Sequence, residues 1–331
     1  MRALRGAALG VLFAVAVAAS CSAAPVAPAP TPAATPEPVL PGPRDARETI
    51  LTSKDGRPYR IFVSAPRGIA PAGGYPVITV LDGNGWFAMA VEIARMREYE
   101  KLPPAIVIGV GYPGSGFFDG VRRSYDFTAP GTSDPDMDGI KLGGADEFLA
   151  FLTGPLRNWV AAHYAADPKQ QILFGHSLGG TFVLHALFEA PDSFNEYLAA
   201  SPDLPFSDRA IVKEEPAFEA NPARTTPRVL VTVGELEAHP GAALMDDYRR
   251  YYAAHPELIP GYTPDQAVAE VFADKGGYDK VADTRDLATR LAKSGVKATF
   301  ALFAGEEHMS AGVAALNRGI PFALRPEPKG P

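Results

Sequence analysis

The sequence predicts an α/β protein built on a mostly parallel, eight-stranded sheet with helices on both faces. Three observations carry this. Short apolar runs rich in β-branched residues alternate with longer stretches of helical periodicity, the mark of strand–helix–strand units. Near the start, Lys54-Asp55-Gly56 joins two such runs, and Asp-Gly is a strong hairpin turn. Further on, a Gly-rich segment, Gly175-His176-Ser177-Leu178-Gly179-Gly180, falls where an apolar strand gives way to a helix.

Taken in order, the opening hairpin comprises strands Glu48 to Ser53 and Tyr59 to Ser64. The buried runs Pro76 to Leu81 and Ala105 to Val110 flank a helix near Phe87 to Glu98, and a long helix follows from about Ala145 to Tyr164. Next come strand Gln171 to Phe174, helix Gly179 to Ala190, and strands Tyr197 to Ala200 and Arg228 to Val233. Helix Ala282 to Lys293 and strand Lys297 to Phe303 complete the series. This order is that of an α/β-hydrolase sheet, parallel after its opening hairpin.

Composition narrows the function. The 331 residues are 47% apolar and 21% charged, so a globular core exists and collagen, coiled coil and wholesale disorder are excluded. The formal net charge of −7 gives no basic field for nucleic acid, which is not expected as a partner. Arg2 and Arg5 precede an apolar run from Ala7 to Ala19, the order of a secretory signal peptide and too short to span a hydrocarbon core of about 30 Å. Val17-Ala18-Ala19-Ser20-Cys21 also has the form of a lipobox, with Ala18 where leucine is usual; ordinary cleavage after Ala24 is the other reading. Cys21 is the chain's one cysteine, so an intrachain disulfide is excluded and a lipidation role is favoured.

Eight prolines between Pro25 and Pro43 cannot bury apolar area and favour extended backbone. The expected organisation is a leader over 1–20, a tether over 21–44, a catalytic-type domain over 45–325 with a lid-like segment at 240–281, and a tail over 326–331. The expected location is the periplasm or envelope, beyond the inner membrane, with membrane contact only through the lipid anchor.

The chemistry centres on Ser177. A serine between a strand end and a helix start sits on the sharp turn called a nucleophile elbow, where flanking glycines spare the backbone a collision and the helix N-terminus favours developing negative charge. Gly175 and Gly179 are the glycines expected to be required there. A serine hydroxyl is a weak nucleophile and needs a base held by an acid, in the chain order Ser, acid, His for this fold. Of the six histidines, His163, His176 and His185 lie in or beside helices or the elbow; His239, His255 and His308 follow Ser177 in loop-like positions. His308 comes after the last strand, where the base belongs. Gly234-Glu235-Leu236-Glu237 follows strand Arg228 to Val233 and supplies two candidate acids, with Glu237 favoured by its spacing from the glycine and Glu235 as the alternative. An oxyanion hole needs two backbone N–H groups, one from Leu178 and one from the turn Asp82-Gly83-Asn84-Gly85-Trp86.

These segments, with Arg123-Ser124-Tyr125-Asp126-Phe127-Thr128, Gly143-Gly144-Ala145-Asp146-Glu147-Phe148 and Gly305-Glu306-Glu307-His308, resemble the putative esterase family of α/β-hydrolases over nearly all of residues 46–324. That group includes esterase D, the mycolyltransferases and the trilactone esterases that open ferric siderophores, and the last branch is the nearest in pattern. The resemblance implies that Ser177 and His308 form the dyad and that the N–H groups of Asn84 and Leu178 form the hole. No cofactor is expected, and the acid is the softest role, because some relatives work without one.

The function expected is a serine ester hydrolase acting through an acyl-enzyme on a small-molecule ester, in one form a siderophore-type lactone. An acyltransferase using the same Ser-His-Glu site and a non-catalytic surface or binding protein of the same fold are the alternatives. If the substrate is anionic, Arg122 and Arg123, expected on the loop after strand Ala105 to Val110, are candidate cationic contacts, against a plain surface pairing with Asp126 or Asp119. Asp134-Pro135-Asp136-Met137-Asp138-Gly139 opens like a calcium loop but has Ala145 at its twelfth position, and no His/Cys cluster suggests zinc, so no metal is expected. Residues 238–281 carry Tyr248, Tyr251, Tyr252, Tyr262, Phe272 and Tyr278, which suit either a lid or a packing flap.

Overall fold

The computed structural model describes residues 46–326, except 115, 135, 136, 138, 222, 223, 239–241, 257, 258, 260 and 272–278. The expected leader, Cys21, the tether, His239, Phe272, Tyr278 and residues 327–331 lie outside the described residues.

The strands are β1 (Arg47–Thr52), β2 (Pro58–Ser64), β3 (Tyr75–Leu81), β4 (Ile106–Gly111), β5 (Ala166–His176), β6 (Glu196–Ala200), β7 (Arg228–Gly234) and β8 (Lys297–Phe303). They form one sheet in the order β1-β2-β4-β3-β5-β6-β7-β8. β1 and β4 both run antiparallel to β2, and every later neighbour is parallel. Gly56, at φ +86°, supplies the positive φ that the first hairpin turn needs. This is the α/β-hydrolase arrangement. The chain leaves β3 to one side to make β4 and returns to its other side to make β5, so the order reverses between β3 and β5, and a crevice opens at their C-terminal ends.

The helices are α1 (Gly83–Glu98), α2 (Gly120–Asp126), α3 (Ala145–Phe151), α4 (Arg157–His163), α5 (Leu178–Glu189), α6 (Glu215–Ala220), α7 (Ala242–Ala254), α8 (Pro264–Val271), α9 (Lys280–Lys293) and α10 (His308–Leu324). Strand alternation divides the core in two. Ile78, Val80, Ile172, Phe174 and Leu198 point to the face covered by α1 and α10, against Trp86, Phe87, Leu316 and Ile320. Leu81, Ile108, Leu173, Tyr197 and Val231 point to the face covered by α3, α5 and α9, against Phe148, Phe182, Leu187 and Leu291. Each such side chain stabilises the fold by about 1.5–3 kcal/mol relative to exposure.

Three of the differences from expectation have identifiable reasons in the sheet and the helices that flank it. β5 begins at Ala166 rather than Gln171, because a register shift opposite Tyr75 and Val77 lets the exposed Pro168-Lys169-Gln170 stretch remain in strand. The long helix over 145–164 is interrupted by a π-helical turn at Leu152–Leu156 that holds Pro155, whose missing N–H and bulky ring break the regular ladder. α1 starts at Gly83, four residues early. A Cβ on Gly83 would lie 2.6 Å from the Gly109 carbonyl carbon, so the glycine that reads as a helix breaker is what lets α1 lie close to β4.

Candidate active site

Ser177 caps α5 with φ 60° and ψ −124°, a conformation strained for a residue with a side chain. The amide of Ser177 donates to the Ala200 carbonyl at 2.9 Å, fixing the turn to the end of β6. A Cβ on Gly175 would stand 2.1 Å from the Gly179 oxygen, and one on Gly180 2.7 Å from the Ala200 oxygen. Gly179, by contrast, would make only ordinary contact, 3.5 Å from an Asp82 oxygen. The expectation for Gly179 is therefore corrected: the crowded pair is Gly175 and Gly180, because residue 180 turns back under β6.

His308 is the first residue of α10, reached from β8 through Gly305, which has φ +71°. Its Nδ1 lies 2.6 Å from Glu237 Oε2. Glu237 closes a single 3₁₀ turn after β7, and its side chain is 3% exposed. Its Oε1 accepts from the Gly234 amide at 2.8 Å and the Ser201 hydroxyl at 2.6 Å, while the Lys280 ammonium lies 2.7 Å from Oε2. Burial alone would raise the pKa of this carboxyl; the Lys280 charge, then the His308 hydrogen bond, outweigh burial and hold it well below the usual carboxylate range. Glu235 turns away and accepts from the Gly305 amide at 2.9 Å, so it joins the two loops rather than facing His308. His176 is buried, its ring centroid 4.6 Å from that of His308, and its Nε2 donates to the His308 carbonyl at 2.7 Å. Burial first, then the neighbouring His308, push its pKa well down, so it is a neutral ring packed against His308. The two rings place His308 beside the elbow that carries Ser177.

On the other side of the crevice, Asp82 at φ 50° turns β3 into α1. The Asn84 side chain is committed: its Oδ1 accepts from the Tyr112 amide at 2.8 Å and its Nδ2 donates to the Tyr112 carbonyl at 3.0 Å. Its backbone N–H, like that of Leu178, belongs to the first turn of a helix, where no carbonyl within the helix can accept it. Two helix N-termini thus flank the crevice between β3 and β5.

The placement of Arg122 and Arg123 is corrected. Both lie on α2, not on a loop. Arg123 reaches Asp82 through Nε at 3.1 Å to Oδ1 and Nη2 at 3.0 Å to Oδ2, and with its side chain 15% exposed it serves as a strut under the β3 turn. Arg122 lies over the rings of Tyr59 and Tyr112 and 4.0 Å from Asp126. Neither guanidinium is presented to a substrate as an uncommitted cation. The other described histidines have separate places: His163 bonds the Trp159 carbonyl at 2.7 Å, His255 packs tilted against the Tyr251 ring at 4.7 Å, and His185 bridges Glu214 and Asp146. Asp134 of the expected acidic loop accepts from the Ser207 amide.

Sequence reasoning missed Lys280 and Ser201. A signal existed for the first: the helix that precedes β8 must start at the edge where β7 ends, so its leading residue falls level with Glu237. Ser201, at φ 44°, gives no sign in the sequence of its contact.

The profile of the putative esterase family matches residues 52–251. The chain belongs to that family. It is 32% identical to the ferri-bacillibactin esterase BesA of Bacillus subtilis over 285 residues, 82% of this chain and 87% of that one. With a siderophore triacetylfusarinine C esterase of Aspergillus fumigatus it shares 33% over 231 residues, 65% of this chain and 77% of the relative. Among solved structures, the BES protein from Bacillus cereus superposes with a TM-score of 0.69 at 29% identity, covering 89% of this chain and 100% of that one. Family and relatives together make this protein a carboxylic ester hydrolase.

Proposed function

We propose that this esterase is a serine hydrolase with Ser177 as nucleophile, His308 as base, Glu237 as acid and the backbone N–H groups of Asn84 and Leu178 as oxyanion hole, and that its substrate is a siderophore-type ester or lactone. The contact of 2.6 Å between Glu237 Oε2 and His308 Nδ1, beside a strained elbow serine, carries the reading. With Nδ1 engaged by the acid, Nε2 is the ring nitrogen left for the serine proton. His308 takes that proton as the Ser177 oxygen attacks the ester carbonyl, the two amides receive the oxyanion, and collapse expels an alkoxide that the imidazolium protonates. Water, deprotonated by the same imidazole, then attacks the acyl-enzyme and releases the acid. No cofactor enters any step.

Substrate class rests on the relatives, one named for ferri-bacillibactin and the other for a siderophore, triacetylfusarinine C, and on the aromatic wall beside Asn84: Phe117, 42% exposed, packs edge-on to Trp86 at 5.4 Å. The helices α7 and α8, which follow Glu237, suit a cover on the His308 side of the site. α7 and α8 share a small core of their own (Tyr252, Ile259, Ala267, Val268), and Tyr248 of α7 lies near Glu307 at the foot of α10. The lipobox at Cys21 supports a lipid-anchored envelope protein, and Cys21→Ser should move it from the membrane to the soluble fraction without changing turnover. One panel tests the activity: nitrophenyl esters of varied chain length against a ferric-siderophore trilactone, with wild type and Ser177→Ala. Trilactone cleavage by the wild type and none by Ser177→Ala is expected; preference for simple esters alone would remove the siderophore assignment, and full activity in Ser177→Ala would remove the mechanism.

A further inference from the structure

An acid that orients a catalytic histidine needs only the imidazole as its partner, yet Glu237 also faces a cation. Lys280, the first residue of α9, is 14% exposed, with Nζ 2.7 Å from Glu237 Oε2 and 3.2 Å from His308 Nδ1. An ammonium in this position has two effects of opposite sense. It completes the set of donors around the carboxylate, with Ser201, Gly234 and His308 supplying the others, and so favours the ionised acid. It also stands beside the imidazole, where a second positive charge is disfavoured.

We propose, building on the serine-hydrolase reading above, that Lys280 is a positioning residue of this centre: its ammonium locks Glu237 against His308 and, by repelling a proton from that ring, keeps the base free in mildly acidic solution. The rest of the surroundings is consistent with this. His308 faces Glu237 from the turn after β7, Lys280 from α9, neutral His176 from β5 and Asp203 from the segment after β6, with Glu307 preceding it on its own element. Among these described residues, Lys280 is the one cation. Asp283, a turn further along α9, is engaged by Arg209 at 3.2 Å, and Asp279 caps Ala282, so neither draws Lys280 away. Burial, then the Lys280 charge, lower the His308 pKa from the ordinary 6.5, against the pull of Glu237. A lowered base pKa moves the acidic limb of activity down in pH, because the imidazole must be unprotonated to accept the serine proton.

The test is the rate at which a fluorophosphonate labels Ser177 as a function of pH, in wild type, Lys280→Met and Lys280→Arg. Wild type should show its acidic limb below 6.5, Lys280→Arg should keep that limb, and Lys280→Met should raise it by about one pH unit. A Lys280→Met limb that coincides with wild type overturns the proposal, as does a lower rate at every pH with the limb in place, which would mark a merely structural contact. If circular dichroism shows Lys280→Met unfolded, the wild-type limb still decides: a midpoint at or above 6.5 refutes the role. A wild type that is not labelled at Ser177 would instead bring down the serine reading, and the proposal with it.

Discussion

Two buried carboxylates in this molecule each face two basic groups, and their pKa values move in opposite directions. Glu237 receives four donors, two on each oxygen, and is held well below the usual carboxylate range. Asp126, at the end of α2, has Arg57 at 3.2 Å on one oxygen and Arg122 only at 4.0 Å from the other. There burial prevails over both arginines and raises its pKa from 3.8 to about 6. A guanidinium in contact with one oxygen thus leaves burial the larger effect at Asp126, whereas at Glu237 an ammonium and three further donors outweigh it. The first cluster suits the acid role proposed for Glu237, which requires a carboxylate that stays charged, and the second lies beside Arg123 and Asp82 at the turn that leads to Asn84.

The largest consequence falls on the first cluster. Glu237→Gln keeps the shape of the side chain and removes its charge, so turnover should fall on the order of a hundredfold or more with little change in KM, as for loss of the acid in other triads. Glu235→Gln, which touches only the Gly305 amide, should stay close to wild type. Steady-state kinetics of the pair checks the assignment, and a reversed ranking would transfer the role to Glu235.

In the second cluster the effect should appear in stability rather than substrate affinity. Arg123→Met strands the buried Asp82 and should cost about 3–5 kcal/mol in urea unfolding. Any loss of activity should be alike for neutral and anionic esters. A KM increase confined to anionic substrates would restore Arg123 as a substrate contact.

The smallest effect belongs to Asp126. Between pH 4 and pH 6 the folded protein retains a proton that the unfolded chain has released, so this group makes stability fall as pH rises through that window, by at most about 3 kcal/mol. In Asp126→Asn that part of the pH dependence should vanish. Identical changes of urea midpoint with pH in wild type and variant would contradict the raised pKa.

Much of this was legible in the sequence because it depends on periodicity and chain order. Strand runs such as Pro-Val-Ile-Thr-Val-Leu at 76–81 are buried on both faces, and the reading of Ser177, Glu237 and His308 follows from which strand ends must share one edge. The contacts that depend on tertiary packing were not legible. The Gly-rich start of α1 looks like a turn until the closeness of β4 is known, and the collision that requires Gly180 involves the end of β6, twenty residues away in sequence. Arg122 and Arg123 read as available cations because nothing in their neighbourhood announces a partner at Asp82, which is 41 positions from Arg123. Lys280 could have been placed by topology, but its distance to Glu237 depends on how α9 is seated against the sheet.

The central claim, an acyl-enzyme on Ser177, is tested most directly by quenching the wild-type protein in acid during turnover of a nitrophenyl ester and analysing its peptides by mass spectrometry. The account predicts the acyl mass on the peptide containing Ser177, absent from Ser177→Ala. Ester turnover with no acyl adduct at Ser177, or undiminished turnover by Ser177→Ala, would contradict it.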